Sequence, residues 1–216
     1  MPIAFSGVLL DMDGLLLDTE RLELEAGPAV LAAMGYHLPA EFFMTTIGVD
    51  RLKAIKMIEA EIGEPLDASA LNAGLDRALK DLVEHGVPLR PGAVAFLDAL
   101  DEVKIPRAIA TNSMTVQAEW KLERAGLRDR FDAIVGVDQV VQGKPAPDVY
   151  LEAAHRLGLA PSQCVALDDS DLGVQAAVAA GVMTVIQVPD LLPSVELKVR
   201  IPRKMGTDST RSWALI

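Results

Sequence analysis

The sequence predicts an α/β protein: an open parallel sheet with helices on both faces, interrupted by one all-helical insertion. Three observations carry that expectation. Five short apolar runs read as buried strands, helical segments separate the last four of them, and the interval after the first run is too long for a single crossover. Strands buried on both faces of a parallel sheet read as near-continuous apolar runs rather than as alternating ones.

The first run is Gly7–Leu10, which stops at Asp11. The others are Arg107–Ala110, Ala133–Val135, Cys164–Leu167 and Met183–Ile186, with helical spacing over Val116–Ala125, Asp148–Leu157 and Leu172–Ala180 between them. A crossover needs about a dozen residues or more, yet the first gap runs from Asp11 to Arg107. Inside it, Glu20–Met34, Arg51–Ile62 and Ala68–Val83 have amphipathic helical spacing, with Gly35, Pro39, Gly48, Gly63 and Pro65 as breakers. Ala93–Val103, after the turn-forming Arg90-Pro91-Gly92, supplies the ordinary crossover helix. The expected organisation is therefore a sheet-bearing core of residues 1–16 and 88–216, with a helical domain over 17–87. Met34, Met44, Met57 and the pair Phe42-Phe43 read as filler of the insertion, and Trp120 and Cys164 as core of the main domain. His37, His85 and His155 are scattered and read as surface or packing residues. From Lys198 onward five Lys/Arg stand against one Asp with no clear period, and residues 189–216 are assigned no role.

Composition narrows the function classes. The 31 acidic and 20 basic side chains give a formal charge of −11, which repels a phosphate backbone and an anionic membrane surface alike. No apolar stretch approaches the roughly 18–20 residues of a membrane span, and the N-terminal run lacks the basic region of a secretory signal. A single cysteine, Cys164, forbids an intrachain disulfide and suits a reducing compartment. These features lead to the expectation of a cytoplasmic protein without nucleic-acid or membrane partners.

Ligands of open parallel sheets bind beyond the carboxyl ends of the strands, and there the sequence places its polar clusters. The first strand ends in Asp11-Met12-Asp13-Gly14, the second in Thr111-Asn112-Ser113, the fourth in Asp168-Asp169-Ser170. Asp11 and Asp13 project to one side of extended backbone. Two such charges need a cation between them or a proton on one of them. With Asp169 they offer three oxygen donors, the donor type preferred by Mg²⁺. Gly14 permits a turn at once.

This ordered set resembles the haloacid dehalogenase superfamily of aspartate-nucleophile phosphotransferases over residues 5–188. All four motifs stand in order: Asp11-Met12-Asp13-Gly14 running into Asp18-Thr19-Glu20, Thr111-Asn112, Lys144 within Gly143-Lys144-Pro145-Ala146-Pro147-Asp148, and Asp168-Asp169-Ser170 followed by Gly173 and Ala180-Gly181. The resemblance implies a Rossmann-like core with an inserted α-helical cap, of the β-phosphoglucomutase-like and phosphatase subfamily. It implies Mg²⁺-dependent hydrolysis of a small phosphorylated metabolite, and a monomer in preference to an oligomer. Asp11 is then the nucleophile, Asp13 the acid and base, Thr111 a hydrogen-bond donor to phosphate with Asn112 as an extra donor, Lys144 the charge-offsetting cation, and Glu20 a substrate-binding candidate. The metal would be held by Asp11, the backbone carbonyl of Asp13, and Asp169. Asp168, where relatives often carry Glu, either supports the metal through water or orients its neighbours. Substrate choice would lie in the cap and in the flap Leu15–Glu20. Arg51 reads equally as a holder of an anionic substrate group and as a solvated helix-start arginine.

Two departures separate the chain from a phosphomutase: Glu23 and Ile47 stand where β-phosphoglucomutase has a histidine and a lysine. Hydrolysis is the expected outcome, with mutase action as the alternative and a non-catalytic metabolite-binding module third. Asp13 also separates the chain from hydrolytic dehalogenases of the superfamily, which lack that aspartate and need no metal.

Overall fold

A computed structural model describes residues 5–46 and 51–188, together with the backbones of 198–200 and 214–215; the side chains of Glu20, Ala40 and Arg51 lie outside the described set. The chain divides into two compact units, Met1–Leu17 with Leu89–Ile216, and Asp18–Pro88.

The larger unit is built on a sheet. Strands β1 (Gly7–Leu10), β2 (Arg107–Ala110), β3 (Ala133–Val135), β4 (Cys164–Asp168) and β5 (Thr184–Gln187) are parallel, in the order β3-β2-β1-β4-β5. Every residue of β1 and β2 is buried, as expected of strands covered on both sides. The predicted strands match, with β4 extended to Asp168 and β5 shifted by one residue. The tail adds two short strands that its sequence does not announce. β6 (Lys198–Arg200) pairs antiparallel with β5, and β7 (Ala214–Leu215) pairs antiparallel with β6, lengthening the sheet at that edge.

Helices α5 (Ala93–Glu102), α6 (Thr115–Arg124), α7 (Asp148–Arg156) and α8 (Asp171–Ala179) belong to this unit. Small side chains line their contact with the sheet: Ala108, Ala110, Ala153, Ala154, Ala166, Ala176 and Ala177 share one core with Leu9, Val149 and Tyr150. Cys164 lies in this core, fully buried, and burial pushes its thiol up to about 11. Trp120, read as core, is only half-buried.

The second unit is all-helical: α1 (Thr19–Ala33), α2 (Ala40–Met44), α3 (Arg51–Ile62) and α4 (Ala68–Glu84). Leu31, Phe43, Ile55, Ile58, Leu66 and Leu71 form its core, with Met34 packed on the edge. Phe42 and Phe43 meet edge to face, centroids 5.7 Å apart. The Asp67 side chain caps α4 by accepting from the Ala70 N–H at 2.9 Å. Met44, read as filler, is 59% exposed because α2 ends there. All three histidines are exposed. No helix among the described residues is long and apolar enough to cross a membrane.

Candidate active site

Strand register brings the motif residues together. Leu10 lies opposite both Ile109 of β2 and Leu167 of β4, so the residues that follow these three emerge side by side at the sheet's carboxyl edge. The Asp11 N–H donates to the Leu167 carbonyl at 3.0 Å, and the Thr111 N–H to that of Val135 at 3.0 Å. Gly14, at φ 80°, then turns the chain away, a conformation that a side chain disfavours. A cavity of about 340 Å³ opens at this edge, lined by Asp11, Asp13, Thr111, Asn112, Ser113, Lys144, Asp169, Ser170 and Leu172.

At its floor lies a buried charge array. The Lys144 ammonium donates to Asp11 Oδ1 and, at 2.8 Å, to Asp168 Oδ2. The three side chains are 4%, 9% and 0% exposed. The fully buried Tyr150 hydroxyl donates to the same Asp168 oxygen at 2.6 Å, while the Ser170 N–H and hydroxyl occupy Asp168 Oδ1 at 2.9 and 2.8 Å. Four donors thus converge on one buried carboxylate, satisfying the rule that a buried charge must be paired and hydrogen-bonded. Gly173 makes room: a Cβ there would lie 1.8 Å from Asp168 Oδ2. Burial, partly offset by Lys144 and reinforced by the charges of Asp168 and Asp169, holds the Asp11 carboxyl well above the ordinary aspartate range. The two carboxylates hold the Lys144 ammonium above the usual lysine value despite its burial.

Oxygen atoms of Asp11, Asp168 and Asp169 lie within 4.8 Å of one another. Oxygens on opposite sides of a magnesium ion at ~2.1 Å would be ~4.2 Å apart, so an all-oxygen cluster of this span fits a hard divalent cation. The charges of Asp168 and Asp169 add to burial, the larger cause, in disfavouring the Asp11 anion. Asp168 belongs to this cluster, and its oxygens also accept from Lys144, Tyr150 and Ser170.

The remaining residues of the edge form a second array. Asp13 is only part-buried, and the Ser113 hydroxyl and the Lys121 ammonium each donate to one of its oxygens at 2.8 Å. Thr111, 2% exposed, accepts the Ser113 N–H at 3.1 Å on its hydroxyl oxygen. The Asn112 carboxamide is tied at both ends to the Lys144 backbone, accepting its N–H at 2.7 Å and donating to its carbonyl at 3.2 Å.

Seven of the sequence-derived residues therefore meet: Asp11, Asp13, Thr111, Asn112, Lys144, Asp168 and Asp169. Glu20 and Arg51 belong to helices α1 and α3 of the other unit, and their side chains, like Ile47, fall outside the described residues. Lys121 and Tyr150 were not singled out from the sequence, and Ser113 and Ser170 stood in the strand-end clusters without a role of their own. Lys121 did carry a signal, since it stands three residues after the buried Ala118 on the apolar stripe of α6.

The model of the haloacid dehalogenase-like hydrolases matches residues 5–181. The chain belongs to that family. Fructose-1-phosphate phosphatase YqaB of Escherichia coli is 35% identical over 182 residues, spanning 82% of this chain and 93% of that one. The phosphorylated carbohydrates phosphatase of Thermotoga maritima is 32% identical over 179 residues, 81% of each chain. Among crystal structures, a Thermotoga maritima protein provisionally named β-phosphoglucomutase superposes with a TM-score of 0.76 at 28% identity over 88% of both chains. CbbY of Rhodobacter sphaeroides, in complex with phosphate, does so with 0.64 at 27% identity over 87% of both. As a haloacid dehalogenase-like hydrolase, the chain is an enzyme of the phosphoric monoester hydrolases.

Proposed function

We propose that this enzyme is a Mg²⁺-dependent phosphatase of small phosphorylated sugars, working through an aspartyl-phosphate on Asp11. One observation carries the reading: a single cavity joins a buried, Lys144-bridged Asp11 to a part-exposed Asp13 and to a cluster of carboxylate oxygens of ion-binding span. The names of the relatives supply the substrate class.

Asp11, kept in place through the Lys144–Asp168 bridge, attacks phosphorus in line through a carboxylate oxygen. The bond from phosphorus to the ester oxygen breaks, and that oxygen takes a proton from Asp13. In the second step Asp13 removes a proton from water, whose oxygen displaces Asp11 from phosphorus and releases phosphate. Thr111, its hydroxyl oxygen already accepting from Ser113, turns its O–H to a phosphoryl oxygen. Lys144 offsets charge as the phosphoryl group arrives, in a site dry enough for that charge to count. Mg²⁺, held by Asp11, the Asp13 carbonyl and Asp169, would neutralise phosphoryl oxygens and orient the ester. In this reading Asp18–Pro88 is the cap, and Glu20 and Arg51 are its candidates for selecting the substrate. The single-cysteine composition suits a reducing, cytoplasmic compartment.

The test is phosphate release from a panel of sugar phosphates, with and without Mg²⁺. Release that needs Mg²⁺ and disappears in Asp11→Asn is expected; turnover surviving that substitution overturns the mechanism. The likeness to a protein named β-phosphoglucomutase favours a second reading, phosphomutase action. Isomerisation of a hexose 1-phosphate outpacing phosphate release would establish it. Tight binding of a panel member without turnover would instead leave a binding module.

A further inference from the structure

Lys121 poses a physical question. It lies on the side of α6 that carries the buried Ala118 and Leu122, where an apolar residue is expected, and its side chain is 21% exposed. Its ammonium reaches Asp13, 108 positions away in sequence, at 2.8 Å. An ion pair that water still reaches, with side chains 21% and 29% exposed, contributes modestly to stability, so folding alone does not account for a lysine there.

We propose that Lys121 is a positioning residue for Asp13, fixing the carboxyl group from one side while Ser113 fixes it from the other, and stabilising the negative charge that arrives on Asp13 as its proton passes to the leaving oxygen. The inference rests on the acid–base reading of Asp13. A carboxyl group held through one oxygen still turns about its own axis. One held through each oxygen, by partners from the β2–α6 loop and from α6 itself, has its plane set, and proton transfer depends on that alignment. The two partners differ in kind. A hydroxyl accepts as readily as it donates, so Ser113 serves Asp13 with or without its proton, whereas an ammonium only donates. When the phosphorus–oxygen bond breaks, its electron pair moves to the leaving oxygen and the proton follows. The pair that bound the proton stays on Asp13, whose growing charge faces the ammonium, so Lys121 engages more strongly in the transition state than before it.

The experiment compares two esters of the same phosphoryl group on the full chain with Mg²⁺: 4-nitrophenyl phosphate, whose leaving group departs without a proton, and phenyl phosphate, whose leaving group needs one. Lys121→Met, which keeps a helix-compatible side chain, is expected to lower kcat/KM for phenyl phosphate ~10–100-fold and that for 4-nitrophenyl phosphate no more than ~3-fold, with KM nearly unchanged. Lys121→Arg should recover most of the loss, and Ser113→Ala should show a smaller loss in the same sense. Equal losses on both esters, a rise in KM alone, or no loss at all overturns the inference. Asp13→Asn on the same pair separates the two ideas. If that variant keeps its phenyl phosphate turnover, the acid–base reading falls and Lys121 falls with it. If it loses that turnover selectively and Lys121→Met does not, only the role of Lys121 is overturned.

Discussion

Asp11 and Asp13 stand two residues apart and are paired with lysines in opposite surroundings. The Asp11–Lys144–Asp168 array is dry, with side chains 9%, 4% and 0% exposed, and Tyr150 and Ser170 complete its hydrogen bonds. The Asp13–Lys121–Ser113 array is part-exposed, at 29% and 21% for the charged pair. A buried array resists rearrangement because any lost partner leaves a charge without water, whereas a wet one releases and recaptures its partners cheaply. On the proposed mechanism the nucleophile draws on the first property and the proton-exchanging group on the second.

The sharpest break in that contrast is Asp11→Asn, expected to reduce phosphate release at least ~10⁴-fold, as loss of a nucleophile does, while circular dichroism shows the fold retained. Lys144→Met should cost about 3–5 kcal/mol in urea unfolding, because it leaves the fully buried Asp168 carboxylate without its cation. A cost under about 1 kcal/mol would show the array to be wetter than described. Tyr150→Phe, which only withdraws one donor from Asp168, should cost about 1–3 kcal/mol and slow turnover modestly.

The pH dependence separates burial from attraction at Asp11. Its folded value is raised, so the native state holds a proton that the unfolded chain releases above about pH 3.9. Metal-free wild type should therefore lose stability relative to Asp11→Asn as pH climbs from there towards the folded value. The opposite slope in unfolding curves would mean that the attraction of Lys144 outweighs burial. Smallest of all, Lys121→Met should shift stability by less than about 1 kcal/mol, its effect confined to kinetics.

What the sequence disclosed and what it hid follow the same division. Asp11, Asp13, Thr111, Lys144 and Asp169 lie at strand ends or in a Gly/Pro loop, where local pattern marks the spot and parallel register guarantees convergence. Tyr150 and Lys121 project from helices α7 and α6. There Tyr150 reads as one more core aromatic and Lys121 as a charge on an apolar stripe, and only packing reveals which carboxylate each one meets. The tail strands β6 and β7 escaped notice because three and two residues carry no readable period, and their pairing depends on an edge supplied by β5.

The Asn112 clasp separates where Lys144 sits from how the chain arrives there. With both peptide groups of the lysine pinned to the end of β2, the preceding loop, whose Val141 is 90% exposed, acts as slack rope tied to a fixed cleat. Its length is open to change: two residues inserted after Val141 should leave phosphate release within about twofold, whereas Asn112→Ala would turn that freedom into misplacement of the ammonium.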